Sequence, residues 1–517
     1  MSTAMTQLRE RLAELTDLRH AGQLLGWDQQ TMMPAGGAAS RAEVQATIER
    51  ISHRLFVEAE TGRLLEAAAA ELNGAEPDSD DARLVAVVRR RWEKARRVPT
   101  ELAAEIARAA SLGHEAWVGA RANSDFSAFA PHLARNVELA HRYTECLPEF
   151  ERPYDALLDD YEPGVTSEEV TRIFAELRDE LVPLIARVSA AEPVDDSYLH
   201  ESFPVARQRE LVDRVLRRMG FARDHWRLDE AAHPFATSFG CDDVRLTTRW
   251  DEHYFPGALY GAMHECGHGL YEAGIARSLQ RTPLGHAESL GLHESQSRMW
   301  ENLVGRGRAF ARVLAPLVAE LTGRPIEPDA LFRAVNRVQP SFIRVEADEA
   351  TYGLHIVLRF ELEQELVEGR LRVEELPEAW NARFAEYLGL EVTDDALGVL
   401  QDVHWAAGLI GYFPTYALGN LIAGQLWRRV HADVPDLDEQ IAAGELSGLR
   451  EWLREHVHRH GAKFRMPELV QRVTGGPVQV EPFVSYLKDK LGAVYGLDLH
   501  DLRGDTQTRN PQGAESD

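Results

Sequence analysis

The sequence predicts a mainly α-helical protein with one small antiparallel β-sheet beside its middle helix. Three observations lead there. Apolar residues recur at helical spacing over most of the chain, and capping sequences of the Ser/Thr-x-x-Glu kind open several of these stretches. Pro77, Pro99, Pro131 and Pro163 fall where breaks between helices are expected. A single region, between Trp226 and Trp250, loses the helical period and alternates instead.

In chain order, residues 4–22 read as an amphipathic helix, and Ser40-Arg-Ala-Glu43 predicts the start of a second. Helices follow over 80–97, after Pro99-Thr100-Glu101, and from Thr166-Ser-Glu-Glu169. The pieces Trp226-Arg-Leu-Asp, His233-Pro-Phe-Ala-Thr-Ser-Phe239 and Asp243-Val-Arg-Leu-Thr-Thr-Arg-Trp250 hold β-branched and aromatic residues. Gly240 and Asp242 lie between them, and together they read as the antiparallel sheet. A helix then begins near Pro256, with proline in the tolerated first turn. Residues 1–505 are expected to form one domain with two lobes flanking a groove, and 506–517, polar throughout, a disordered tail.

Composition narrows the function. The 517 residues include 57 Lys+Arg against 83 Asp+Glu, a formal charge of −26, which disfavours nucleic acid and anionic membrane as partners. Three cysteines, Cys146, Cys241 and Cys266, are too few for a disulfide framework. The amino terminus lacks the apolar run of a signal peptide, and no window reaches the length of a membrane span, so a cytoplasmic location is expected.

The chemistry centres on His264-Glu265-Cys266-Gly267-His268. Histidines at i and i+4 share a helix face, so their rings converge on one ion. Glu265 stands beside the first of them, placed to take a proton from water that the ion activates. A structural reading, with both histidines in solvent on a surface helix, is disfavoured by the apolar neighbours Leu259, Ala262, Met263, Cys266 and Leu270. A catalytic zinc site needs a third protein ligand and an open position. Glu294, 26 positions after His268, lies at a spacing that allows a loop and a new helix, but Glu288 and Glu301 are geometric rivals, and spacing alone does not choose. Cys266 points off the histidine face and reads as a core residue.

Six separated motifs then stand in order: His233-Pro-Phe235, Asp243-Val-Arg-Leu-Thr247, His264-Glu-Cys-Gly-His268, His293-Glu-Ser-Gln296, Ile343-Arg-Val-Glu-Ala-Asp348 and Gly398-Val-Leu-Gln-Asp-Val-His-Trp405. This pattern resembles the M32 metallocarboxypeptidases, the carboxypeptidase Taq family, over nearly the whole chain. The resemblance implies a helical zinc-peptidase fold with a long deep groove, a homodimer, and removal of single residues from peptide C-termini with broad side-chain tolerance. It implies Glu294 as the third ligand and a carboxylate-binding role for Arg344. The alternative for Arg344 is an ion pair with Asp348 at i+4.

Related helical zinc peptidases use a His/Tyr set to steady the oxyanion, and His404, Tyr412 and Tyr416 are the matching candidates; packing alone is the competing role for each tyrosine. His233 is a candidate for the groove lining, and Asp243 and Arg245 for a structural pair. Peptidases of this type often carry an acidic residue four after the third ligand to orient a histidine. Position 298 is Arg, so that partner has to come from elsewhere. Nitrogen and oxygen ligands accept Zn²⁺, Co²⁺ or Mn²⁺. The rival functions are a zinc oligopeptidase or dipeptidyl carboxypeptidase on the same scaffold and, from another class, a helical binding protein whose metal site is structural.

Overall fold

A computed structural model describes residues 3–501. The tail expected at 506–517 lies outside the described residues. Helices dominate, and one apolar cluster takes in side chains from Met5 to Leu499. No helix of the described chain is long and apolar enough to cross a membrane.

The amino-terminal helix, Ala4–Thr31, runs further than the 4–22 that periodicity predicts. The second helix, Ala38–Val57, starts two residues before Ser40, so no capping box forms there. The Thr166 box does form: its hydroxyl accepts from Glu169 N and the Glu169 carboxylate accepts from Thr166 N. Asp80–Arg97 and Thr100–Asn123 match expectation. Pro131 does not break a helix but sits inside Phe126–Glu145, whose apolar face, including Phe129, Leu133 and Val137, is buried well enough to offset one missing N–H donor.

The sheet differs from expectation in one respect. Strands β1 (Trp226–Glu230), β2 (Ala236–Ser238) and β3 (Val244–Thr248) stand in the order β1-β3-β2. β2 pairs antiparallel with β3, while β1 pairs parallel with β3, Trp226 opposite Val244. Two chain reversals leave β1 and β3 pointing the same way. Because β2 takes the far edge, the first and third strands meet, and the sheet is mixed rather than wholly antiparallel. Its inner face packs on the central helix, Phe255–Gly274: Trp226 and Val244 close over Gly269, and the Thr248 hydroxyl donates to Ala258 O at 3.0 Å.

The short helix Leu290–Arg298, the ligand helix in that it carries the candidate ligand Glu294, lies between the central helix and the helix Pro414–Asp433. Both neighbours present glycine at the crossing. A Cβ on Gly267 would stand 2.7 Å from Gln296 O, and one on Gly419 would stand 2.7 Å from Glu294 Cγ. The ligand helix thus sits closer to each neighbour than any side chain would allow.

Candidate metal centre and catalytic groups

His264 and His268 leave the central helix one turn apart, and Glu294 reaches them from the ligand helix. Glu294 Oε2 lies 3.6 Å from His264 Nε2 and 3.4 Å from His268 Nε2. All three donor atoms fall within 4.8 Å of one another. Four ligands about 2.05 Å from a tetrahedral ion stand about 3.3 Å apart, so this spacing and this His₂Glu donor set fit a divalent cation with one position left open. Among the described residues, no other group of three such side chains converges in this way.

The ligand helix is fixed at its start. Ser289 caps it by accepting from Leu292 N at 2.9 Å, and the buried Glu162 accepts from Ser289 Oγ at 2.6 Å and from Gly291 N. A carboxylate at a helix N-terminus is favoured by the macrodipole. Burial opposes the charge and raises the Glu162 pKa to about 7. Beyond Arg298 the helix widens into a π-helical segment, Met299–Gly305. This brings Glu301 Oε2 to 2.9 Å from His264 Nδ1, the edge opposite Glu294.

Glu301 therefore sits on the edge of His264 away from Glu294 and pairs with its Nδ1, the contact that motif spacing leaves unnamed. Arg298 occupies the position where an acid is common, and it binds Glu294, donating from Nε to Oε1 at 2.7 Å. Glu288, the other rival, points away and pairs with Arg90 and Arg91.

Charge is arranged to hold a cation. Burial works against a charged His264 ring, but Glu294, Glu301 and Glu265 outweigh it and lift the pKa to about 9. Glu294 is buried, yet Arg298 and the two histidines keep it well below the usual carboxylate range. Glu265 is 6% exposed and accepts no side-chain hydrogen bond. Burial, reinforced by Glu294 and Glu301 and opposed by His264 and Arg298, raises its pKa to about 7, the value a general base needs near neutral pH. Cys266 is buried and free, as its off-face position predicts.

The remaining candidates divide. His404, Tyr412 and Tyr416 cluster: His404 Nε2 lies 3.2 Å from Tyr416 Oη, and the two phenol rings are 5.4 Å apart. Both tyrosines feel the charge of Glu294, and burial first, then their charged neighbours, raises both phenol pKa values, so the hydroxyls stay protonated donors. Burial, with Arg344 and Arg359 against Asp402, lowers His404 to about 4.

Arg344 is 5% exposed and joins this cluster, its guanidinium 4.9 Å from the Tyr416 ring centre. Its partner is not Asp348. Nε and Nη2 donate to Asp402 Oδ1 at 3.0 and 2.7 Å, and Nη1 donates to Tyr352 Oη at 3.0 Å. Asp348 instead caps the helix Glu349–Val367, accepting from Ala350 N and Thr351 N, so it faces its own helix rather than Arg344. His233 stands exposed in the loop before β2 and takes no part in these contacts. Asp243 and Arg245 do pair, at 3.0 Å, with Arg245 stacked on Trp27 of the amino-terminal helix.

Comparison with known proteins settles the family. The model for carboxypeptidase Taq (M32) metallopeptidases matches residues 7–491. The chain belongs to the M32 carboxypeptidases. Thermostable carboxypeptidase 1 of Thermus thermophilus is 41% identical over 505 residues, covering 95% of this chain and 99% of that one. Carboxypeptidase 1 of Bacillus subtilis is 38% identical, covering 94% and 97%. The crystal structure of an M32 carboxypeptidase from Deinococcus radiodurans R1 superposes with a TM-score of 0.93 at 40% identity, covering 96% of this chain and all of that one. As an M32 carboxypeptidase the chain is a metallopeptidase that acts on peptides with a divalent metal, and the His₂Glu cluster is where its residues fit that ion.

Proposed function

We propose that this M32 enzyme is a zinc carboxypeptidase that removes single residues from peptide C-termini with broad side-chain tolerance. His264, His268 and Glu294 hold the ion. The observation that carries the reading is the meeting of these three side chains beside a buried, bond-free Glu265. A divalent ion there supplies Lewis acidity, polarising the scissile carbonyl and acidifying water to a pKa of about 7.

The chain's own groups do the rest. Glu265 takes the proton of the attacking water and passes it to the leaving amine. Tyr416, with His404 behind its hydroxyl, and Tyr412 beside it donate to the developing oxyanion. Arg344 anchors the terminal carboxylate. Of its five N–H groups, three are engaged by Asp402 and Tyr352, which leaves two for substrate and fixes the guanidinium plane. His233 lines the outer groove.

Three free cysteines support a cytoplasmic location, and the family resemblance supports a homodimer. Metal analysis alongside hydrolysis of blocked dipeptides tests the reading: one zinc per chain and stepwise loss of single C-terminal residues are expected. Release of dipeptides would refute single-residue removal, and a metal-loaded chain without hydrolysis would point to a structural site.

A further inference from the structure

His264 is oriented directly by a carboxylate, whereas His268 has none on its outer edge. Its Nδ1 lies 2.5 Å from Nδ1 of His293, the residue just before the ligand Glu294. His293 Nε2 in turn lies 3.0 Å from Glu272 Oε1. Glu272 is four residues after His268 on the central helix, so 264, 268 and 272 form one stripe, and 293 and 294 fit between its members.

With Nε2 of His268, which faces Glu294, given to the ion, its proton would sit on Nδ1 and be donated to His293 Nδ1. That leaves the His293 proton on Nε2, donated to Glu272. The row needs an ionised carboxylate at its end, and Glu272 is held as one. It also accepts from His286 Nδ1 at 3.2 Å, Ser238 Oγ at 3.2 Å and Ala287 N at 3.4 Å. His286 Nε2 lies 3.3 Å from His20 Nε2, so the row continues to the amino-terminal helix.

We infer that Glu272 is a positioning residue for the metal centre, acting on His268 through His293. A carboxylate behind a ligating imidazole fixes its tautomer and strengthens its donation to the ion; here one more imidazole carries that effect a full helical turn. The inference rests on reading His264, His268 and Glu294 as the ligands.

Zn²⁺ affinity of the purified full chain, measured by competition with a chromophoric chelator, tests it. Glu272→Gln should weaken Zn²⁺ binding about 10- to 100-fold, with the metal-free protein still folded by circular dichroism at the assay temperature. It should also shift the visible absorption of the Co²⁺-loaded protein. His293→Gln should weaken binding comparably, and adding Glu272→Gln to it should cost less than a further twofold, because the route is already cut.

Unchanged affinity in Glu272→Gln, or two effects that multiply in full, would overturn the inference. If Glu272→Gln does not fold, His293→Gln alone decides, and wild-type affinity there is refutation. His268→Ala separates the premise: if it keeps tight Zn²⁺ binding, the ligand assignment itself fails.

Discussion

Gly419→Ala is expected to damage the candidate metal centre without replacing any group proposed to hold the ion. The new Cβ would stand 2.8 Å from Glu294 Cβ, 2.7 Å from its Cγ and 3.2 Å from Gly291 O. Carbon atoms rest at about 3.5–4.0 Å, so relief requires a displacement of about 1 Å. The clashing atoms belong to the base of the Glu294 side chain and to backbone, which have no free rotamer to retreat into. The ligand helix cannot back away, since Gly267 already lets it touch the central helix through Gln296 and Ser297. Glu294 is therefore displaced relative to His264 and His268, whose Nε2 atoms now lie 3.6 and 3.4 Å from it. Overpacking of this kind costs about 1–3 kcal/mol of stability, and a shift of about 1 Å at the reacting groups costs about 100-fold in rate. The assay is kcat/KM on a blocked dipeptide, with bound zinc counted and the melting temperature recorded. Gly119→Ala is the control: it lies exposed within Thr100–Asn123 with nothing in reach of a new Cβ, and should stabilise by about 0.5–1 kcal/mol. A Gly419→Ala enzyme with wild-type kcat/KM and full zinc content would refute the claim that close helix packing sets the ligand position.

Other outcomes follow from the same geometry. Glu265→Gln should retain the metal and lose nearly all turnover; substantial kcat with metal bound would remove Glu265 as the base. Arg344→Ala should depress hydrolysis of free-carboxylate peptides far more than that of C-terminally amidated ones, whereas equal losses would mean that Arg344 only positions the Asp402 segment. Acid should destabilise the fold through its buried neutral histidines. Burial, with His293 nearby, depresses His458 to about 3, and burial with Arg344 and Arg359 depresses His404 to about 4. Below the ordinary value of about 6.5 the unfolded chain binds protons that the folded one refuses, so stability falls as pH drops, by about 2 kcal/mol per histidine at pH 5. Denaturant melts of wild type and His458→Gln between pH 4.5 and 7 should show a shallower slope in the variant, and parallel curves would contradict the assignment.

The metal cluster was legible because its information is local. His264 and His268 lie one helical turn apart, and six motifs in order pointed to Glu294 where spacing could not choose among three glutamates. What stayed hidden depends on long-range packing. Nothing near Glu162 announces that it fastens a helix starting 128 residues later, and the partner of Arg344 is Asp402, not the acid one turn away, because Asp348 serves its own helix N-terminus. The strands were visible as alternation, but their pairing was not, since the parallel register of β1 on β3 joins segments that alternation alone does not match to one another. Glu301 could be placed on the face of Glu294 by counting sevens, yet its task was concealed: a regular helix would set the two acids about 10 Å apart along one line, not on opposite edges of one ring.

The widened turn at Met299–Gly305 acts as a spacer between gripping and aiming. Removing a single residue from it ahead of Glu301 would restore 3.6 residues per turn and turn Glu301 off His264, while Glu294, upstream, kept its place. Such a deletion would separate two properties usually lost together: the ion would still be captured, but one of its imidazoles would be free to swivel, and metal exchange would quicken before affinity collapsed.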